Sequence, residues 1–463
     1  MQYISTRGQA PKIGFCDVLL AGLARDGGLY VPETWPKLRQ SVKVSDTASY
    51  SQKASSIMSP FVGAEIDQHV FEKLCADAYS TFRHPEVAPL VEIGPDEYLL
   101  ELFHGPTLAF KDVALQLVGK LFDHVLTQRN ERVMIVGATS GDTGGAAFDG
   151  VASCRNVDIV MLYPNNRVSD VQRRQMTTLT SPNVHAVAVD GTFDDCQDLV
   201  KAMFNDQKFR DANQLSAVNS INWVRVMAQV VYYVTAIEKL GRSAVFSVPT
   251  GNFGNVLAGW IAKQMGAPID GFVVASNTND ILTRFFESKQ MVANEVVPTL
   301  SPSMDIQVSS NFERLLFETN NRDGAETARQ LTNFRATGKL EVAAGVYQKW
   351  FEGVFVGRRC NDEQTLATMR DVYKHSGMLI DPHTAVGLSA ARQSASVDFP
   401  KNMPMITLAT AHPAKFPDAV FRATGQKPKL PEHLADLMSR PERSVFLPND
   451  LGAVQAFVAS CRK

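Results

Sequence analysis

The sequence predicts an α/β protein with two doubly wound α/β domains on mainly parallel sheets, plus a smaller N-terminal α+β domain. Short apolar runs of strand length, such as 157–164 and 244–249, alternate with stretches of helix length. Strands that are apolar throughout are typical of parallel sheets with helices on both faces. Several of these runs end in glycine-rich loops. We therefore expect a ligand cleft between the two domains, at the carboxyl ends of the strands.

The composition excludes several classes of function. The 463 residues are 45% hydrophobic and 20% charged. The net charge of −2 gives no excess of positive charge that would favour binding to nucleic acid or to an anionic membrane. Six scattered cysteines without a C-x-x-C pair indicate a reducing compartment, and argue against disulfides or a zinc site. No apolar run is long enough for a membrane span. We expect a cytoplasmic protein without a metal site, and a monomer and a homodimer are both compatible with the sequence.

The N-terminal domain is predicted to span residues 1–95. Its Asp26-Gly27-Gly28 turn leads into a short extended piece, and helical stretches follow around 47–60 and 65–83. A hairpin-like pair around 90–93 and 98–103 leads into the next domain.

The two larger domains are predicted at 96–225 and 226–463, with an irregular insertion near 297–360. Both show apolar strands followed by helices, as expected of a parallel sheet. The predicted strands are 132–138, 157–164, 184–189, 244–249, 271–275 and 405–409. The predicted helices include 192–205, 223–240, 255–266, 279–288 and 362–376.

Lys111 stands where a loop rich in Gly, Pro and Thr meets an amphipathic run. The spacing of the apolar residues predicts a helix whose first turn holds Lys111. A lysine is unfavourable there, because the N-terminal end of the helix dipole is positive. Burial in such a position lowers the pKa of an amine and makes it a better nucleophile towards a carbonyl. A surface lysine that merely starts a helix is the alternative.

The loop Gly251-Asn252-Phe253-Gly254-Asn255 follows a buried strand and opens a small-residue helix. Glycines allow backbone amides to point into one concavity, and the helix N-terminus adds positive potential, so the pattern suits a phosphate group. It matches neither a nucleotide P-loop nor the dinucleotide G-x-G-x-x-G pattern. A plain strand-to-helix turn is the alternative.

A second loop of this kind is Thr139-Ser140-Gly141-Asp142-Thr143. Its hydroxyls and amides could hold a carboxylate, although Ser, Thr and Asp also serve routinely as helix caps. A third stretch, 407–416, ends the last buried strand and places Thr410 at the expected cleft. A threonine hydroxyl there could hydrogen-bond a ring nitrogen without protonating it, whereas His412 beside a proline is equally well a structural turn residue.

Together these stretches resemble the threonine synthases of the long bacterial and fungal type. The strings RDGGLYVP, HGPTLAFKD, TSGDTG, PTGNFGN and TAHPAKF occur in that order and cover nearly the whole chain. Any one string alone would indicate only the wider group of pyridoxal-phosphate enzymes with a tryptophan-synthase-like fold.

The resemblance implies that the cleft is a cofactor cleft in which Lys111 carries pyridoxal 5′-phosphate covalently and also moves protons. It implies that Gly251, Asn252, Phe253, Gly254 and Asn255 bind the cofactor phosphate and that Thr410 faces the pyridine nitrogen. The loop of Thr139, Ser140, Gly141 and Thr143 would bind the substrate carboxylate. The wider group has Asn where this chain has Asp142, which leaves the partner of the cofactor ring hydroxyl open.

The implied substrate is O-phospho-L-homoserine, and the implied products are L-threonine and phosphate. Four groups are candidates for the substrate phosphate: Arg173, Arg174, Lys415 and the loop 276–279. The rival functions are a serine or threonine dehydratase, a non-catalytic phosphometabolite-binding homologue and, on the strand–glycine–helix pattern alone, a nicotinamide-dependent oxidoreductase.

Overall fold

A computed structural model describes residues 1–38 and 48–462. Residue 47, at which one predicted helix begins, lies outside the described residues. The strands in chain order are β1 Tyr3–Ser5, β2 Tyr30–Pro32, β3 Leu90–Gly94, β4 Glu97–Glu101, β5 Val133–Ala138, β6 Val157–Pro164, β7 Val184–Asp190, β8 Leu215–Ser216, β9 Ala244–Pro249, β10 Ile269–Ser276, β11 Gln290–Val292, β12 Lys339–Glu341, β13 Phe355–Arg359, β14 Met405–Ala409 and β15 Val445–Pro448.

The helices lie between these strands, as the alternating pattern predicts. In chain order they are α1 Phe15–Ala21, α2 Tyr50–Val62, α3 Gln68–Tyr79, α4 Lys111–Arg129, α5 Asp142–Val151, α6 Asp170–Thr177, α7 Phe193–Asn205, α8 Gln207–Asn213, α9 Trp223–Leu240, α10 Gly254–Met265, α11 Ile281–Ser288, α12 Phe312–Thr319, α13 Gly324–Thr337, α14 Ala344–Trp350, α15 Asp362–Ser376, α16 Pro382–Ser394, α17 Pro417–Thr424 and α18 Leu451–Ser460. None of them is long and apolar enough to cross a bilayer, as far as the described residues go.

The larger sheet has six strands in the order β13-β10-β9-β14-β4-β3. All neighbours are parallel except the hairpin pair β3–β4. The central strands β9 and β14 are buried along their whole length, which explains their lack of polar alternation.

The second sheet has five strands in the order β15-β7-β6-β5-β8, and all of its pairs are parallel. Two mainly parallel sheets with helices between their strands confirm the predicted fold class. Strands that are close in the sequence do not always belong to the same sheet, and each sheet includes strands from distant parts of the chain. The β3–β4 hairpin belongs to the larger sheet, and β15 joins the second sheet from far along the sequence.

The N-terminal residues form a small unit around the antiparallel pair β1–β2 and the packed helices α2 and α3. The Tyr3 hydroxyl accepts a hydrogen bond from the indole of Trp223 at 3.1 Å and donates one to the Phe61 carbonyl at 2.7 Å. This unit is therefore fastened to the start of α9. Residues 297–360 contain helices α12–α14 and strands β12 and β13 beside irregular stretches. The domain boundaries at 95 and 225 stay predictions.

Candidate active site

The loop before Lys111 runs alongside the end of β14. Leu102 donates its N–H to the Ala409 carbonyl at 2.9 Å, and Phe110 donates to the Thr410 carbonyl at 2.9 Å. His412 returns a bond to the Leu108 carbonyl at 3.0 Å. These backbone bonds bring Lys111 and Thr410 next to each other, although 299 positions of sequence (410 − 111) separate them.

Lys111 is the first residue of α4, as the sequence predicts, and its side chain is buried. Its Nζ donates to Asp142 Oδ2 at 3.2 Å. Burial lowers the pKa of Lys111, Asp142 opposes this effect, and the positive charges of Lys415 and Arg225 reinforce it. Lys111 is therefore an amine that gives up its proton more easily than a surface lysine does.

Asp142, the first residue of α5, joins several side chains from different elements. Its Oδ1 accepts from Gln172 Nε2 at 2.9 Å and lies 3.0 Å from Lys415 Nζ, while its Oδ2 faces Lys111. Ser303 Oγ approaches Oδ2 to 3.4 Å. Burial alone would raise the pKa of Asp142, but the two lysines hold it well below the usual range. Asp142 is therefore ionised.

The Thr139–Thr143 loop is braced by its own first residue. Thr139 Oγ1 accepts the N–H groups of Gly141 and Gly144, both at 2.9 Å. Gly141 has a φ of +136°, and a Cβ on it would lie 2.5 Å from the Gln172 amide carbon, so only glycine fits. Ser140 and Thr143 are half-buried at the N-terminus of α5.

Hydrogen bonds to its carbonyl groups fix the Gly251–Asn255 loop in place. Asn311 donates its N–H at 3.0 Å and its Nδ2 at 3.1 Å to the Asn252 carbonyl, and Ser309 Oγ donates to the Gly251 carbonyl. Within residues 1–38 and 48–462, no acceptor receives the N–H groups of 251–255. The loop thus presents consecutive unpaired donors, as the sequence predicts for an anion cradle.

Two further features shape this cradle. Phe253 has a left-handed backbone (φ +61°), and its buried ring packs against Phe312 with the ring centres 5.4 Å apart. A Cβ on Gly251 would lie 2.6 Å from the Ser303 carbonyl oxygen. The turn is therefore both strained and tightly enclosed, a combination found where a backbone approaches a ligand.

Asn255 carries a buried amide nitrogen that has no partner. Its Oδ1 accepts from the hydroxyls of Tyr232 and Tyr233, which fixes the orientation of the amide. Its Nδ2 is buried and finds no acceptor among the described residues. An unsatisfied buried donor of this kind is costly to the fold and marks a position that a ligand oxygen can occupy.

His412 has a structural role in this geometry. Its Nδ1 accepts the N–H of Ala414 at 3.1 Å and caps the short 3₁₀ turn Pro413–Lys415. Burial lowers the pKa of His412 to about 4, which agrees with an imidazole nitrogen that serves as an acceptor. His412 thereby helps to place Lys415.

The four candidates for the substrate phosphate are engaged with protein groups. Arg173 and Arg174 pair with Glu442, and Lys415 is buried against Asp142. In the loop 276–279, the Asn277 and Asn279 amides donate to Asp305 at 2.8 and 3.0 Å.

A cation that the sequence reasoning missed is Arg225, in the first turn of α9. It is buried, and its Nη1 donates to the Val218 carbonyl at 3.1 Å, but its Nε has no partner and no carboxylate pairs with it within the described residues. Burial lowers the pKa of Arg225 to about 10. The signal in the sequence is an arginine within an apolar run that starts a helix, Trp-Val-Arg-Val-Met.

Three family models match consecutive parts of the chain. The model described as threonine synthase N terminus matches residues 2–79, that of pyridoxal-phosphate dependent enzymes matches 86–347, and that of the threonine synthase C-terminal part matches 384–458. The chain is also 54% identical to the threonine synthase of Pseudomonas aeruginosa, over 99% of this chain and 98% of that protein.

Solved structures agree with these matches. The pyridoxal-phosphate-bound threonine synthase from Brucella melitensis is 50% identical and superposes with a TM-score of 0.96 over 100% of both chains. The yeast threonine synthase is 39% identical and has a TM-score of 0.92, over 99% of this chain and 98% of that chain. Sequence, fold and site geometry lead to one conclusion: this chain belongs to the threonine synthase family of pyridoxal-phosphate dependent enzymes.

Proposed function

We propose that this protein converts O-phospho-L-homoserine and water to L-threonine and phosphate, with pyridoxal 5′-phosphate as its cofactor. The observation that supports this most directly is a buried lysine of lowered pKa in the same site as a loop of unpaired backbone donors. A nucleophilic amine and an anion cradle are the two elements needed to hold an aldehyde that carries a phosphate.

The residues of the site fit this cofactor. The N–H groups of Gly251, Asn252, Phe253, Gly254 and Asn255, together with the unpartnered Asn255 Nδ2, suit the oxygens of a phosphate. Lys111 would hold the aldehyde carbon. Thr410 offers a neutral hydroxyl to the ring nitrogen, and Asp142 is a candidate for the ring hydroxyl. When bound, pyridoxal 5′-phosphate supplies an electron sink that stabilises negative charge on the substrate carbons.

Lys111 has a second role once the substrate is bound. An uncharged Lys111 Nζ accepts a proton from a substrate carbon and returns it to another, as a general base and then a general acid. Burial lowers the pKa of Lys111 and so favours the uncharged amine that this role needs. The hydroxyls of Ser140 and Thr143, with Gly141 and the braced Thr139, would hold the substrate carboxylate at the N-terminus of α5.

Arg225 is the best-supported partner for the substrate phosphate. It is buried without a carboxylate, whereas Arg173, Arg174 and Lys415 already have one among the described residues. A phosphate would supply the missing negative charge and accept from the unpartnered Nε, in a charge-assisted hydrogen bond. This placement explains why the fold tolerates an unpaired buried arginine.

Incubation of the purified protein with O-phospho-L-homoserine tests the proposal. We expect phosphate and L-threonine to form in equal amounts. If serine or threonine instead gives a keto acid and no phosphate is released, the protein is a dehydratase and the proposal is wrong.

Borohydride reduction followed by peptide mapping tests the role of Lys111. We expect the cofactor label on Lys111, and we expect Lys111→Ala to lose both the label and turnover. Lys120→Ala on the same helix is the matched control and should retain both. A Lys111→Ala variant with full turnover would show that the mechanism is different.

A cytoplasmic location is part of the proposal. All six cysteines are buried and unpaired, which is the usual state in a reducing compartment.

A further inference from the structure

Two buried ammonium groups share one carboxylate in the active site. Lys111 Nζ lies 3.2 Å from Asp142 Oδ2, and Lys415 Nζ lies 3.0 Å from Asp142 Oδ1. The side chains of all three residues are less than one-tenth exposed. Charges removed from water in this way interact strongly, so the protonation of each group depends on the other two.

The two lysines differ in how completely they are bonded. Lys415 is fully buried, and besides Asp142 its Nζ reaches the Thr107 carbonyl at 2.8 Å and Gln175 Oε1 at 3.0 Å. Two of the three protons of the Lys415 ammonium have hydrogen-bond acceptors, and the Asp142 carboxylate lies at ion-pair distance. Lys111 Nζ has the Asp142 carboxylate as its hydrogen-bond acceptor among the described residues. Lys415 is therefore the more completely bonded of the two lysines, and Lys111 is the one whose pKa is lowered by burial.

The remaining charged and titratable groups near the trio do not replace Lys415. Arg225 acts on Lys111 as a second positive charge but forms no ion pair with Asp142 in the described part of the chain. His383 helps to lower the pKa of Asp142 but forms no ion pair with it within the described residues, since its Nδ1 lies 2.9 Å from Asp381 Oδ1 and its Nε2 accepts the N–H of Ser303 at 3.3 Å. Asp112 accepts the N–H and the hydroxyl of Thr107 at 2.8 and 2.5 Å and feels the charge of Lys415, but it forms no ion pair with either lysine within the described residues.

We propose that Lys415 keeps the charge of Asp142 compensated when Lys111 is uncharged, and so acts as a positioning residue that allows Lys111 to work as a neutral amine. Without Lys415, the ionised Asp142 would have Lys111 as its single cation and would hold the proton on it. A buried carboxylate left without a cation is strongly unfavourable, which is why one fixed ammonium is needed beside one that changes its charge.

This inference deepens the proposed function and rests on it, because it concerns the same lysine. Its test is a pH titration of the visible absorption of the holoenzyme, which changes when the Lys111 nitrogen bound to the cofactor loses its proton. The midpoint of this titration reports the charges around that nitrogen, and a merely structural role for Lys415 would leave it unchanged.

The expected shifts have opposite signs in the two single variants. Lys415→Met should raise the midpoint by about one unit or more, because a like charge is lost and Asp142 then acts on Lys111 alone. Asp142→Asn should lower it, because the attraction is lost and Lys415 remains. The double variant should lie between the two single variants. Lys120→Met, a change at the outer side of α4, is the control and should leave the midpoint unchanged.

An unchanged or lowered midpoint in Lys415→Met overturns the inference. If that variant does not fold, the comparison of Asp142→Asn with the double variant decides, since neither leaves an uncompensated carboxylate. The double variant must then have a higher midpoint than Asp142→Asn, and equal midpoints in these two variants overturn the inference. Failure of the proposed function looks different, because the wild-type protein would then show no cofactor label on Lys111.

Discussion

At the scale of single residues, the site is marked by side chains that the fold alone would disfavour. In the part of the chain that the structure describes, Arg225 is a buried cation without a carboxylate, and Asn255 has a buried amide nitrogen without an acceptor. Both conditions are costly in a protein interior. They are explained together if the site is completed by anionic groups of ligands.

Arg225→Met is predicted to separate activity from stability. We expect kcat/KM for O-phospho-L-homoserine to fall by roughly 10- to 150-fold, which corresponds to a lost charge-assisted hydrogen bond of about 1.5 to 3 kcal/mol. We expect Tm to stay the same or rise, because an unpaired buried charge is replaced by an apolar side chain of similar length. Steady-state kinetics and thermal unfolding measure the two effects.

The exposed Arg422 on α17 offers the matched control, since Arg422→Met should change neither quantity. An Arg225→Met variant with wild-type kinetics would contradict the assignment of the substrate phosphate to this residue.

The sequence predicts the residues with local signals better than those defined by tertiary contacts. Lys111 stands out because its misfit with the helix dipole is visible within ten residues, and the structure confirms that it begins α4 and is buried. The signals at Lys415 and Arg225 are weaker, because neither residue type nor spacing tells which acid will lie beside them. Their roles depend on tertiary contacts, and the folded chain shows that Lys415 pairs with Asp142 while Arg225 has no carboxylate partner within residues 1–38 and 48–462.

At the scale of elements, strand-to-helix connections build most of the site. The first turns of α4, α5, α9 and α10 contribute Lys111, Asp142, Arg225 and the Gly251–Asn255 loop. Helix N-termini leave backbone N–H groups unpaired and carry partial positive charge. A set of them therefore suits the proposed reaction, in which the cofactor and the substrate each carry a phosphate group. The glycine and threonine patterns that open these helices made both loops predictable.

Gly251→Ala is predicted to weaken cofactor binding. An added Cβ would meet the Ser303 carbonyl at 2.6 Å, so the turn would have to move and its N–H groups would no longer converge. Overpacking of this kind costs about 1 to 3 kcal/mol, which predicts a roughly 5- to 150-fold higher dissociation constant for pyridoxal 5′-phosphate. Titration of the cofactor-free protein with pyridoxal 5′-phosphate, followed by the visible absorption of the bound cofactor, measures this dissociation constant.

Gly345→Ala provides the control, because its added Cβ meets nothing within 4 Å and its φ is not positive. Equal affinities of the Gly251→Ala variant and the wild type would show that this loop does not bind the phosphate.

At the scale of the whole molecule, the N-terminal unit supports the Gly251–Asn255 loop from a distance. Arg314 on α12 is buried and donates to the Tyr30 carbonyl at 2.9 Å, the Ile221 carbonyl at 2.7 Å and Asn311 Oδ1. Asn311 in turn holds the Asn252 carbonyl. One arginine thus links β2, the start of α9 and the Gly251–Asn255 loop.

Arg314→Leu is predicted to lower both stability and cofactor affinity. The change leaves three buried oxygen atoms without a donor, at about 1 to 3 kcal/mol each as an upper bound. We expect a clear fall in Tm and, in the protein loaded with pyridoxal 5′-phosphate, faster hydrogen exchange at residues 251–255, whose N–H groups would then be held by the phosphate. Arg335→Leu on the exposed side of α13 should change neither. A lower Tm with unchanged exchange in the loop would confine Arg314 to a purely structural role.

The sequence does not predict which strands pair with each other in the two sheets. The strands that local pattern predicts are confirmed, since each is a continuous apolar run: 132–138, 157–164, 184–189, 244–249, 271–275 and 405–409 correspond to β5, β6, β7, β9, β10 and β14. No local pattern predicts that β15 joins β7, because β15 is an apolar run of only four residues and is mostly exposed. Sheet membership depends on contacts between distant segments, and local periodicity does not encode them.

The position of β15 has a consequence for how the chain folds as it is made. Strand β7 ends at Asp190, and its neighbour β15 begins at Val445, so the ribosome adds roughly 250 residues between them. During that time the outer edge of β7 has unpaired backbone groups, and the β3–β4 hairpin still lacks its neighbour β14. Neither sheet can be completed in order of synthesis. The nascent protein therefore has open strand edges for most of its translation, and this is when it is most exposed to aggregation and most in need of a chaperone.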